Sequence, residues 1–428
     1  MRHTRAEEAS GRRELLGATA IGRQAPLTAV LVVAFAANLL AGLAVGAGLT
    51  ALGSPAAGSF ATGLSFAASG CVFAAVAAVA AQLTESPRAA IGLSAGVMAA
   101  CYAVRGVADL GAGDGLSWLS PFGWVEHVRP FAGDHWWALL PAPAACAALL
   151  AAAYAVSARR DLGRGAFPAR PGRARASALL RTPAALAWRG QRGTVLAWTA
   201  GMALFGAGVG AAAPTIAEQL AQSPVLSGIV ARAGASARPV DGFFAFIVYL
   251  SAQVVTVFTL QAVLRLRAEE ASGRLELLLS GPVGRLRWAL GHLLVAAAGS
   301  ALVLAGLGAG TGLAFGLVSG SGAAEVPALL AAALVRLPSV LVIGGVAALL
   351  YGARPRWAYT VLAVCLLLEL AVDLLGAPHA VLAVSPFALT PGLPAAPFAL
   401  GPVAALCAVA AGLTGAGLAA LARRDLGG

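Results

Sequence analysis

RAEEASGRRELL occupies residues 5–16, and RAEEASGRLELL occupies residues 267–278, the same charged dozen with one letter changed at an offset of 262. Everything around the two copies is apolar. Of the 428 residues 59% are hydrophobic and 11% charged, and the mean hydropathy is +0.84. That is more apolar surface than a water-soluble domain of this length hides, which makes the chain an integral membrane protein.

Apolar runs of about 18 or more residues, each long enough as a helix to cross a hydrocarbon core of about 30 Å, recur throughout. Reading them between charged punctuation predicts spans near 26–51, 59–83, 89–108 and 141–158, then near 194–212, 242–264, 289–318, 326–350, 357–376 and 402–420. The runs are continuous rather than alternating, which selects helices over a barrel. The expected fold is an all-α, polytopic transmembrane helical bundle of about ten spans.

The sequence has no lysine, so all 29 basic side chains are arginine. A phosphate-binding GxxxxGK[ST] loop and a Schiff-base lysine are therefore excluded on this sequence. With a cytoplasmic N-terminus, every arginine except Arg105, Arg129, Arg232, Arg238 and Arg336 falls in cytoplasmic loops, while the 18 acidic residues divide evenly. This satisfies the positive-inside rule with both termini cytoplasmic, in a bacterial plasma membrane. The net charge of +11 then reflects topology and anionic-lipid contact rather than nucleic-acid binding. The cysteines Cys71, Cys101, Cys146, Cys365 and Cys407 sit in apolar runs with no CxxC spacing and read as small hydrophobes.

The match between the two dozens extends along the chain. Gly22-Arg23 recurs as Gly284-Arg285, Asp109 as Asp373, SPF at 120–122 as SPF at 385–387, and ARRDLG at 158–163 as ARRDLG at 422–427. Two halves with one plan are the economical explanation. The second half holds six spans, an even number, so the copies run in the same direction as parallel pseudo-repeats. Residues 1–156 form a first half of four spans, 157–193 a basic cytoplasmic linker with nine arginines against one aspartate, and 194–428 the second half. Within the linker, Leu179, Leu180, Leu186 and Trp188 among arginines predict a short helix lying in the headgroup plane. Two spans precede the charged dozen in the second half and none precedes it in the first. Either the start lies upstream or the protein has ten spans; the former is favoured, and a complete relative is expected to have twelve.

A loop between spans must be polar, but that alone does not retain an order of acids and bases. As a helix the segment places Glu8 four residues before Arg12 and Glu270 four before Arg274, a supportive spacing. Glu7, Glu8 and Glu14, with Glu269, Glu270 and Glu276, then form acidic knobs on a basic face, suited to a partner's groove.

The twice-used R-A-E-E-x-x-G-R-x-E-L-L-(x)5-G-R, with SPFGW at 120–124, VRPFAGDHWW at 128–137 and the terminal ARRDLG, resembles the permeases of actinobacterial ABC-2 type exporters, the group labelled polyketide or tetronasin antibiotic exporters. The resemblance implies that the segment between the second and third helices of each half is a coupling helix meeting a separate ATP-binding cassette ATPase subunit. It assigns Glu7, Glu8, Arg12, Glu14, Glu269, Glu270, Arg274 and Glu276 to that interface. ATP would bind the partner, with no cofactor on this chain, and the cargo would be a lipophilic or amphiphilic compound carried outward.

Charges within spans are costly and usually paired or functional. Glu369 is expected to pair with Arg336 on a neighbouring helix or with Arg105 across the pseudo-axis, and Asp373 matches Asp109 under the repeat. The alternative is snorkelling to the outer headgroups. His127 and His135 beside Glu126 and Asp134 invite a metal reading, but Trp118, Trp124, Trp136 and Trp137 crowd the same stretch, as in an aromatic interface belt, and no metal is assigned. His292 and His379 stand alone and carry no signal. No nucleophile, base and orienter share a side and depth, so an enzyme is disfavoured. The main rival is an ion- or proton-coupled carrier with two parallel six-helix halves, whose G-x-x-x-D-R-x-G-R-R loop motif neither dozen matches. A membrane-embedded transferase would need an interfacial carboxylate cluster, and none is visible.

Overall fold

The computed structural model of the protein describes residues 20–108, 114–159, 165, 180, 182–222, 238–353 and 385–424. Lipid offers backbone amides no partner outside their own segment, and every regular element among the described residues is helical. Nine helical stretches among them are long and apolar enough to cross a membrane. The protein is an all-α polytopic bundle, with helices on the spans expected from hydropathy. The remaining expected span, 357–376, with Glu369 and Asp373, lies outside the described residues, as does Asp109. The chain divides into two compact units, Met1–Ala174 and Arg175–Gly428.

In the first unit, α1 (Ala25–Ala51) and α2 (Ala56–Leu83) form a hairpin, followed by α3 (Pro87–Val107), the short α4 (Pro121–His127) and α5 (Pro141–Arg159). Gly42 and Gly63 face one another, and a Cβ on either would fall on the other's carbonyl oxygen. Close approach of this kind matters in lipid, where helices gain nothing from simply hiding apolar surface from one another. Helix α5 packs against α2 as well, with Cys146 and Ala142 beside Val72. Near the end of α3, Arg105 Nε lies 3.1 Å from Glu126 Oε2 of α4, so this arginine has a carboxylate partner in its own half. His127 Nε2 is 2.6 Å from Ser117 Oγ and its ring stacks on Trp118 at 4.6 Å.

The second unit starts with α6 (Pro183–Gln222), capped by Thr182, whose Oγ1 accepts from Ala185 N at 3.2 Å. The separate in-plane helix expected around Leu186 and Trp188 is not what forms. From Pro183 onward no proline interrupts until Pro214, so the stretch is simply the first three turns of one helix that runs into the following span. After α7 (Pro239–Val263) come the short α8 (Arg265–Ala271) and α9 (Arg274–Leu279), then α10 (Arg285–Ser319), α11 (Val326–Leu334), α12 (Leu337–Ala353) and α13 (Leu400–Arg423). Helices α6 and α10 run parallel through two facing GxxxG pairs. A Cβ on Gly206 or Gly210 would fall on the carbonyls of Leu307 or Thr311, and one on Gly306 or Gly310 on those of Thr199 or Ala203. Helix α10 also packs on α11, α12 packs on α13, and the buried core of the unit gathers Phe258, Leu260, Leu304, Leu307 and Ile343.

Arginines are held by partners both at one end of this unit and at the α11–α12 junction. Arg238 makes a two-pronged bond to Asp241, Nε to Oδ2 at 3.0 Å and Nη2 to Oδ1 at 2.9 Å, and reaches Glu325 Oε1 with Nη1 at 3.1 Å. These hydrogen bonds hold the guanidinium pKa above its ordinary value. Arg336, only 3% exposed, sits where α11 gives way to α12, donates from Nη1 to the Phe387 carbonyl at 3.0 Å and lies over the Tyr249 ring at 5.5 Å. Ser339 Oγ donates to the Pro386 carbonyl at 2.9 Å. The second SPF triplet is therefore docked on the α11–α12 junction, and Arg336 has a place within its own half.

Candidate functional site

The second charged dozen joins α7 to α10 at the other end of the unit, between the second and third membrane helices of this half. It does not form the single helix that its Glu270–Arg274 spacing suggests. Ser272 Oγ bonds back to the Glu269 carbonyl at 3.1 Å, and Gly273 takes φ +69°, a left-handed conformation that ends α8. Arg274 then starts a new helix, with Glu276 in its first turn, where a carboxylate favours the helix dipole. The i,i+4 pair is replaced by a bend. Leu266 and Leu275, one on each side of it, are buried with Trp288, Ala289, Tyr351 and Leu421.

The acidic knob expected from the sequence is divided by this fold. Consecutive residues on a helix project about 100° apart, so Glu269 and Glu270 meet different neighbours. Glu269 Oε2 accepts from Trp288 Nε1 at 3.3 Å and lies 3.1 Å from His292 Nε2; both residues belong to the first turns of α10. His292 Nδ1 is 3.2 Å from Gln191 Nε2 on α6. An ionised carboxylate only accepts, so Nε2 of the imidazole carries the proton, and Nδ1 accepts from the Gln191 amide. Glu270 turns to the other pair of helices. Its Oε2 accepts from Tyr351 OH on α12 at 2.6 Å, and its Oε1 is bonded by Arg424 Nη2 just past α13. Arg424 also donates from Nη1 to the Tyr351 carbonyl at 2.8 Å and lies over the Tyr351 ring at 5.3 Å, while Arg285 Nη1 donates to the Arg424 carbonyl at 3.0 Å.

What faces outward is a different set. Arg267, Ala271, Arg274 and Glu276 are exposed, and Leu277 at the tip is 78% exposed. Leu277 follows Glu276 directly and is one turn on from Arg274, so an apolar side chain and charges of both signs share this outer side. On the inner side a small cavity of about 110 Å³ separates the segment from the start of α6, lined by Leu186, Leu278, Trp288, His292 and Glu269 among others.

Of the residues expected at this interface, the fold thus places Arg274 and Glu276 outward and Glu269 and Glu270 inward. Glu7, Glu8, Arg12 and Glu14 lie outside the described residues. Sequence reading missed Gln191, Trp288, His292, Tyr351 and Arg424 as participants. Arg424 alone had a signal, since it belongs to the repeated ARRDLG; the others are single polar or aromatic residues in apolar helices, whose use depends on contacts 19 to 101 positions away.

The family described as "Multidrug efflux system permease Rv1217c, C-terminal domain" matches residues 1–157 and 180–421. The multidrug efflux system permease protein Rv1217c of Mycobacterium tuberculosis (strain ATCC 25618 / H37Rv) is 39% identical over 429 aligned positions, covering 100% of this chain and 78% of that relative. The match takes in both charged dozens, both SPF triplets and most of the helices described above. The chain belongs to the Rv1217c family of multidrug efflux permeases.

Proposed function

We propose that this chain is the membrane permease of an ATP-driven, ABC-2 type exporter that moves hydrophobic or amphiphilic drug-like compounds out of the cell, with ATP hydrolysed on a separate subunit. The observation that carries this reading is segment 265–280. It joins two membrane helices, is braced from behind by Glu269 and Glu270, and offers Arg274, Glu276 and Leu277 outward. A partner groove with an apolar floor and flanking charges of both signs would complement it. The absence of lysine from the sequence fits the division of labour, since a nucleotide-binding loop of the lysine type cannot be built here.

Further support comes from the matching SPF triplets. In each half the serine Oγ accepts from the amide two residues on, Ser120 from Phe122 and Ser385 from Phe387, both at 3.3 Å. This is what two copies of one plan would produce. The test is transport in inside-out vesicles containing this chain with a co-expressed ATP-binding cassette subunit. ATP-dependent dye accumulation that persists with a protonophore is the expected result. Accumulation driven by a proton gradient with no ATPase present would overturn the proposal in favour of a secondary carrier.

A further inference from the structure

Helix α8 is only 7 residues long, yet its two adjacent carboxylates engage four different membrane helices. Glu269 reaches α10 through Trp288 and His292, and through His292 it reaches Gln191 of α6. Glu270 reaches Tyr351 of α12 and Arg424 at the end of α13. The two sets share no side chain. Leu266 and Leu275 fill the space between them with Trp288 and Tyr351. The segment is thus tied to both helix pairs through charge-assisted hydrogen bonds, which are stronger and more directional than apolar contact.

We infer that Glu269 and Glu270 are positioning residues forming a two-armed yoke, Glu269 to α6 and α10, Glu270 to α12 and α13, that passes movement of the docking segment to the membrane helices without touching the partner subunit. The inference rests on the reading of segment 265–280 as the ATPase-docking element. Burial favours it over the alternative, because both carboxylates are turned away from the exposed face that carries Arg274, Glu276 and Leu277. Arg424 strengthens the second arm by holding the Tyr351 carbonyl as well as the carboxylate, so α12 and α13 are clasped to one another at the point where α8 grips them.

The experiment uses the full chain with its ATPase subunit and compares wild type with Glu270→Gln, Arg424→Gln and the milder Tyr351→Phe. Trypsin cleavage after Arg267 and Arg274 reports how firmly the segment is held, since proteolysis follows local opening; loss of a charged anchor is expected to raise it about tenfold in Glu270→Gln and about threefold in Tyr351→Phe. Retention of the ATPase on affinity purification should stay within about twofold of wild type, while export falls about tenfold with ATP hydrolysis continuing, the pattern of a lost conformational link rather than lost binding. Wild-type cleavage and export in both Glu270→Gln and Tyr351→Phe would overturn the yoke. Export and ATPase retention falling in parallel would overturn it too, by making Glu270 a docking contact. A wild-type chain that retains no ATPase would instead sink the docking reading itself, whatever the cleavage pattern.

Discussion

Helix α10 of the second half opens with Trp288 and His292 turned onto Glu269, whereas α1 of the first half carries Pro26 and Val30 at the positions 262 earlier. Neither a proline nor a valine side chain donates to a carboxylate. The charged dozen is thus written twice, but the indole and imidazole that receive it in the second half have no counterpart at those places in the first. The helix packing, in contrast, has a counterpart: each half brings its helices together through glycine contacts, Gly42 with Gly63 in one and Gly206, Gly210, Gly306 and Gly310 in the other. The lesson is that the bundle depends on a device used in both halves, while the indole and imidazole that bind Glu269 stand at these positions only in the second.

The largest effect should come from breaking what the halves share. Gly310→Leu and Gly63→Leu each drive a side chain into a facing backbone carbonyl that cannot move aside, and each should cost about 3 kcal/mol or more. Both variants are expected to lose monodisperse protein on size-exclusion chromatography, and a variant that purified like wild type would refute the close approach. Next comes what only the second half has. His292→Val, which installs the residue found in the first half, strips Glu269 and Gln191 of their shared partner in a buried setting. It should cost about 2–3 kcal/mol and lower Tm by about 5 °C, whereas Val30→His, on a partly exposed position, should leave Tm nearly unchanged.

Smaller effects test the local copies of one motif. Ser120→Ala and Ser385→Ala remove equivalent side-chain bonds to the amide two residues on, and each should cost about 1 kcal/mol by thermal unfolding. A loss in one half alone would show that the SPF triplets do unlike work. The smallest effect on stability belongs to Leu277→Ala, within about 0.5 kcal/mol because the side chain is exposed, yet this variant should lose ATPase retention.

The spans were legible because hydropathy acts on whole helices. Continuous apolar runs such as 26–51 and 289–318 leave a chain in lipid no alternative to helix. The bend in the docking segment also had a local sign, Ser272-Gly273, a pair that commonly marks a turn, although the i,i+4 spacing of Glu270 and Arg274 argued for a helix across it. Glycine's freedom to adopt positive φ outweighed an exposed charge pair worth a few tenths of a kcal/mol. The direction of Glu269 and Glu270 could not be read from the segment at all. Acidic residues in a loop default to solvent, and only tertiary contacts with Tyr351, Arg424 and a solitary His292 turn them inward. The continuity of α6 was hidden for a similar reason, since arginines among leucines describe an in-plane helix and the basic first turns of a span equally well.

The central claim, that segment 265–280 meets a partner ATPase through its exposed tip and not through its braced side, is tested most directly by site-specific photo-crosslinking. A photoreactive residue at position 277 should crosslink to the ATPase subunit in membranes that export, whereas one at the buried position 275 should not. Export-competent membranes that give no crosslink at 277, or an equal crosslink at 275, would contradict the account.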